Sequence, residues 1–158
     1  MSNPTATHQQ PITVSKYLNK YGLKNWSLEL SPDKKFNYII IIPAIQEFEN
    51  LKRLLCSISE NDKRYFERSL FVFVVNNLAS STKEVKEDNQ QSIGLLRKII
   101  LGENSPQINI GLVNASSSGL ELPEKDGGVG LARKIGMDLA LTQFDYSNYG
   151  KNILICLD

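Results

Sequence analysis

Tyr38-Ile-Ile-Ile-Ile-Pro-Ala-Ile-Gln-Glu-Phe-Glu-Asn-Leu51 is the stretch that decides what fold the chain can adopt. An unbroken isoleucine run does not alternate between core and solvent, so Tyr38–Ile42 reads as a strand buried on both faces and stopped by Pro43. Between Glu47 and Glu60, residues Phe48, Leu51, Leu54, Leu55 and Ile58 recur at helical spacing and predict an amphipathic helix. The same alternation then repeats. Leu70–Val75 is a second buried strand ended by Asn76-Asn77. Residues 78–91 are polar, with 83–88 read as a solvated face or loop, and Ile93, Leu96, Ile99 and Ile100 mark a helix closed near Gly102. Ile108–Val113 is a third strand, residues 116–126 a loop, Val129–Phe144 a third helix and Asn152–Leu157 a fourth strand. This order predicts an α/β fold with a mostly parallel sheet, right-handed crossovers and helices on both faces. Ligands in such sheets bind beyond the carboxyl ends of the strands, here Pro43–Glu47, Asn76-Asn77, Ala115-Ser116 and Asp158.

Ahead of that core, residues 1–11 read as a disordered tail and 12–22 as a short helix carrying Val14, Tyr17, Leu18 and Tyr21 on one side. Trp26, Leu28 and Leu30 alternate with other residues up to a turn at Ser31-Pro32-Asp33. The expected division is an N-terminal extension over residues 1–35 and an α/β domain over 36–158. The fully apolar last strand needs cover, which predicts a longer parent protein; the alternatives are an edge strand that tolerates exposure, or self-association through that strand.

Composition narrows the function classes. The 158 residues fit one domain at ~100–200 residues per domain. A net charge of +1 offers no long-range field for nucleic acid or an anionic membrane, so no nucleic-acid partner is expected. The apolar runs fall far short of the ~20 residues of a membrane-spanning helix, and the polar start Met1–Pro11 does not read as a secretory signal. Cys56 and Cys156 form no CxxC pair and are expected to be small buried hydrophobes in a reducing, cytoplasmic setting. With His8 as the sole histidine, in the polar tail, a Ser–His or Cys–His nucleophilic pair is not expected.

Gly127-Gly-Val-Gly130 opens the third helix, but its spacing fits neither a dinucleotide fingerprint nor a P-loop. A glycine-rich helix entry followed by Arg133 and Lys134 can instead close over a diphosphate, through helix amides and positive charge together; the alternative is a solvated basic face. Two other features have simple explanations. Glu47 and Glu49 suit a helix start through the helix dipole alone, and Asp138, four residues after Lys134, predicts a surface ion pair.

The strand and helix of Ile39–Leu51 resemble the opening of family-2 glycosyltransferases: an apolar strand, Pro, two residues, Asn-Glu, then a helix. Val74-Val-Asn-Asn77 stands where those enzymes end their second strand in Asp-Asp-Gly-Ser. Gly130-Leu-Ala-Arg-Lys-Ile-Gly136 is similar to their Gly/Ala-Arg helix, and Asn152–Asp158 resembles the strand delivering the first Asp of their DxD motif. The family implies a GT-A fold whose first, Rossmann-like half holds a nucleotide-diphosphate sugar, with strand order third–second–first–fourth. It also implies an inverting transferase. By that resemblance Pro43, Ala44 and Glu47 line the nucleoside pocket, Asn76 or Asn77 faces base or ribose, and Arg133 holds the phosphate side. Asp158 approaches ribose or metal, with Mn²⁺ or Mg²⁺ arriving with the donor, because expelling a nucleoside diphosphate requires neutralised phosphate charge.

The chain departs from the pattern at Gln46, where the family has Asn, and at Asn76-Asn77, where it has Asp. It ends at the first Asp of DxD, so it is expected to be the nucleotide-sugar-binding portion of a longer enzyme and inactive by itself. A nucleotidyltransferase-like enzyme and a non-catalytic nucleotide-binding or assembly module are the alternatives.

Overall fold

The computed structural model describes residues 10–31, 34–103, 107–147 and 151–157. Helix α1 (Ile12–Tyr21) and the short strand β1 (Leu28–Leu30) lead into β2 (Tyr38–Ala44), α2 (Phe48–Ser59), β3 (Ser69–Asn76) and α3 (Lys83–Ile100). β4 (Asn109–Ala115), α4 (Val129–Ala140) and β5 (Ile153–Cys156) complete the chain. Short 3₁₀ turns at Lys63–Arg68 and Leu141–Gln143 make two of the connections.

The sheet runs β1-β4-β3-β2-β5. Its β4-β3-β2-β5 section is parallel and has the order expected from the sequence, with Tyr38–Ile41 in register with Ile153–Cys156. The sheet is nevertheless mixed rather than mostly parallel. Leu28–Leu30, from the segment read as an extension, pairs antiparallel with Gly111–Val113 along the outer edge of β4.

Alternation along each strand explains why both faces are buried. Ile40, Ile42, Phe73, Val75, Ile110 and Leu112 point to one face and pack with Leu51, Leu55 and Ile58 of α2 and Ile93 and Leu96 of α3. Their neighbours Ile39, Ile41, Leu70, Val72, Val74 and Val113 point to the other face, against Ala132 and Ile135 of α4 and the partly buried Trp26 and Leu28. A single isoleucine run thus feeds two cores, as its composition requires.

Three details depart from the sequence reading. Pro43 lies within β2 instead of stopping it, opposite Val74. The missing N–H costs little there, because the β2–β5 ladder has already ended at Ile41–Cys156. α3 starts at Lys83, capped by Thr82, so the stretch read as polar loop is the first half of an 18-residue helix. Cys56 and Cys156 are both exposed, one on the outer side of α2 and one on edge strand β5.

α4 approaches the sheet closely at Gly136. A Cβ there would stand 2.5 Å from Ile41 Cγ2 and 2.9 Å from Val74 Cγ2. Both are β-branched methyls held in the sheet and cannot swing aside. On its other side α4 carries the buried Asp138, which accepts hydrogen bonds from Tyr17 Oη (3.0 Å) and Lys134 Nζ (2.5 Å). Lys134 also donates to the Tyr21 carbonyl at 3.1 Å. The ion pair expected on the surface is therefore half buried, and it fastens α1 to α4. Along β5 and just past its end, Ile153, Ile155 and Leu157 remain 42, 41 and 40 % exposed.

Two outcomes are expected. Gly136→Ala overpacks the α4–sheet contact and should cost about 1–3 kcal/mol, read as a lower urea midpoint with an unchanged slope. Burial works against the Lys134 ammonium, but Asp138 outweighs it and holds the Lys134 pKa above its ordinary value. A raised folded-state pKa contributes stability that is complete below the unfolded lysine value of about 10.4 and is lost as pH rises through the folded value. The stability difference between wild type and Lys134→Met should accordingly be constant from neutral pH to about 10 and shrink above it. Urea titrations of both proteins across that range measure it.

Candidate functional site

The chain connects β2 to β3 and β4 on one side of β2, then returns to β5 on its other side. The point of return is where open α/β sheets leave a crevice beyond the carboxyl ends of their strands. A cavity of about 300 Å³ lies beside it, lined by Ile42, Pro43, Ala44, Glu47, Leu54 and Phe73 among others. Its floor is apolar because Ile42, Ala44 and Phe73 are core positions. Its polar groups come from the first turn of α2, where Asn50 Nδ2 donates to Glu47 Oε2. An apolar floor with a few polar groups at the rim is the usual build of a small-molecule pocket.

The loop between β2 and α2 is held in an unusual shape. Gln46 has φ 54°, the one non-glycine with positive φ among the described residues. Such a conformation costs of order 1–3 kcal/mol and persists only where surrounding contacts impose it. The contact here is Asn89 of α3, 1 % exposed, whose Oδ1 accepts from the Gln46 amide at 2.9 Å. Its Nδ2 donates to the Asn76 carbonyl at 3.0 Å and to Asn77 Oδ1 at 2.9 Å. The preceding residue, Asp88, accepts through Oδ1 from the Phe48 amide at 3.1 Å and caps α2.

The ends of β3 and β4 are knitted in the same way. Asn76 Nδ2 donates to the carbonyls of Ala44 (3.1 Å) and Val74 (3.0 Å). Asn77 Oδ1 also accepts from Ser116 Oγ, and Asn77 Nδ2 donates to the Leu78 carbonyl at 2.9 Å. Asn114 Oδ1 accepts from the amides of Ser116 and Ser117, turning the chain after β4. Ser80 then donates through its amide and hydroxyl to Glu124, tying the loops after β3 and β4 together and holding that carboxyl below its ordinary value.

The structure thus gathers Pro43, Ala44, Glu47, Asn76 and Asn77 at one edge of the sheet. The first three line the cavity. Asn76 and Asn77 are buried, and their amides serve the network above. Arg133 sits in the second turn of α4, on the sheet face opposite α2, and does not line the cavity. Asp158 lies outside the described residues, and so does His8. Among the described residues no group of three or more His, Cys, Asp or Glu side chains is placed to hold a metal ion. No described helix is long and apolar enough to cross a membrane.

Sequence reasoning missed Asp88 and Asn89. The signal was present: Asn89, Ser92, Ile93, Leu96 and Ile99 follow helical spacing and are all buried, which extends the apolar stripe back by a turn. No protein-family model, curated protein or solved structure matches the chain.

Asn77→Ala removes the acceptor for Asn89 and Ser116 in a buried setting. It should lower stability by about 1–3 kcal/mol, measured by chemical denaturation at neutral pH.

Proposed function

We propose that this chain binds a nucleotide-diphosphate sugar, as the donor-binding unit of a family-2-like glycosyltransferase that transfers the sugar to an acceptor. The observation that carries the reading is the cavity of about 300 Å³ at the carboxyl end of β2, lined by Pro43, Ala44 and Glu47 and set beside the point where the connections reverse. The resemblance puts the nucleoside at these same residues.

The helix ends support a direction for the diphosphate. The start of α2 is already served by the Asp88 carboxylate, which repels a further anion. α4 follows Gly128 with no side-chain cap and no acidic residue in its first turn, and it carries Arg133 just beyond, while Lys134 is held by Asp138 and the Tyr21 carbonyl. Helix amides and cationic side chains together suit phosphate oxygens. In this reading the base occupies the α2-side cavity and the diphosphate crosses the strand ends toward α4. Asp158 would hold a Mn²⁺ or Mg²⁺ ion brought with the donor, and such an ion would supply charge neutralisation for the departing diphosphate.

A non-catalytic nucleotide-binding module is the second reading. It is favoured by Asn76 and Asn77, neutral and engaged in the fold where the resembling enzymes carry aspartates.

Calorimetric titration with uridine, guanosine and cytidine diphosphates, with Mn²⁺ present, tests the binding. Arg133→Ala should weaken the diphosphate about tenfold to hundredfold, the worth of one charge-assisted contact. No heat of binding at millimolar nucleotide would sink the proposal. Unchanged affinity in Arg133→Ala would remove Arg133 from the site. Incorporation of labelled sugar from the donor that binds separates the transferase from the module.

A further inference from the structure

We infer that Asn89 is a positioning residue for the nucleotide site, holding the β2–α2 loop in the shape that the ligand meets; the inference rests on the nucleotide-binding reading above. Asn89 does not line the cavity, yet its side chain joins the β2–α2 loop to the end of β3 beside it. Its Oδ1 holds the Gln46 amide at 2.9 Å, and its Nδ2 holds the Asn76 carbonyl at 3.0 Å and Asn77 Oδ1 at 2.9 Å.

Gln46 is the residue at φ 54°, with Ile45 exposed on one side and the cavity-lining Glu47 on the other. A glutamine gains nothing from left-handed backbone by itself. The conformation persists because a buried amide takes its N–H, and the next residue, Glu47, begins α2 from there. Only a side chain that accepts on one arm and donates on the other satisfies all three partners. Asparagine does so. A protonated aspartate comes nearest, its carbonyl accepting from Gln46 and its one hydroxyl proton donating toward Asn77 while the Asn76 carbonyl goes unmet; the ionised form keeps only the Gln46 contact.

That difference gives a readout that a loss of packing would not produce. In Asn89→Asp, the ionised carboxylate faces two oxygens, so burial and repulsion both raise its pKa. At pH 8 the carboxylate form should weaken nucleoside diphosphate binding about tenfold relative to wild type at the same pH. At pH 5 the neutral form should bring the ratio back within about threefold. The Gln46 amide is followed in parallel by hydrogen exchange: slow in wild type, fast in Asn89→Ala, and slow again in Asn89→Asp at pH 5. Circular dichroism confirms folding at each pH.

A binding ratio for Asn89→Asp near one at both pH values, or equally poor at both, overturns the inference while leaving the nucleotide reading intact. Fast Gln46 exchange in wild type overturns it as well. Absence of binding by wild type ends the nucleotide reading, and the inference with it.

Discussion

Residues Tyr38–Ala44 of β2 lie in parallel register with Ser69–Val75 of β3, and both faces of this ladder are buried. Parallel strands cannot be joined by a tight turn, so each step along the sheet needs a crossover, and here each crossover is a helix. The alternation of the ladder assigns those helices. Ile40, Ile42 and Phe73 require α2 and α3 on one side; Ile39, Ile41 and Val74 require α4 on the other. Because the crossovers begin at the carboxyl ends, the irregular backbone that starts each of them gathers along one edge. The position of the candidate site is thus a consequence of burying an isoleucine run twice over.

That edge presents a problem which the polar residues solve. Where strands stop, their last amides and carbonyls lose ladder partners while still inside the protein, and such groups are costly if left unmet. Asn76, Asn77, Asn89 and Asn114 meet them with short amide side chains that can both donate and accept, and Ser116 Oγ braces Asn77. The result is rigid and neutral. Neutral amides at this edge carry less electrostatic bias for a cation than the aspartates of the resembling enzymes would.

The strand runs and the first crossover helix were legible in the sequence because each depends on short-range patterning; the strand order rested on the family resemblance and on two runs apolar enough to lie buried side by side. The antiparallel β1 was not. Its Leu28 and Leu30 alternate as a strand should, but which edge it joins is fixed by distant Gly111, whose missing side chain makes room for Leu28. The start of α3 was hidden by charge: Lys83, Glu84, Lys86 and Glu87 look like a loop until Asn89 and Ser92 are counted as buried. The cysteines were misjudged since burial follows the face of an element, and Cys56 falls on the solvent side of α2. At the site, the loop residues were found from the motif, whereas Asn89 acts from another element and only the folded chain brings it near.

α1 buries none of its residues, and polar ties supply much of its hold on α4. β1, a few residues later, is laced into the sheet. Two tiers of cooperativity follow. Helix α1 can detach and reseat in a local opening that leaves the central ladder untouched, since none of its residues is buried. During each such excursion Tyr17 releases Asp138, the Lys134–Asp138 pair meets water, and the outer face of the helix that bears Arg133 is briefly bare. A protease that needs extended chain would find a foothold within Ile12–Tyr21 long before the sheet comes apart.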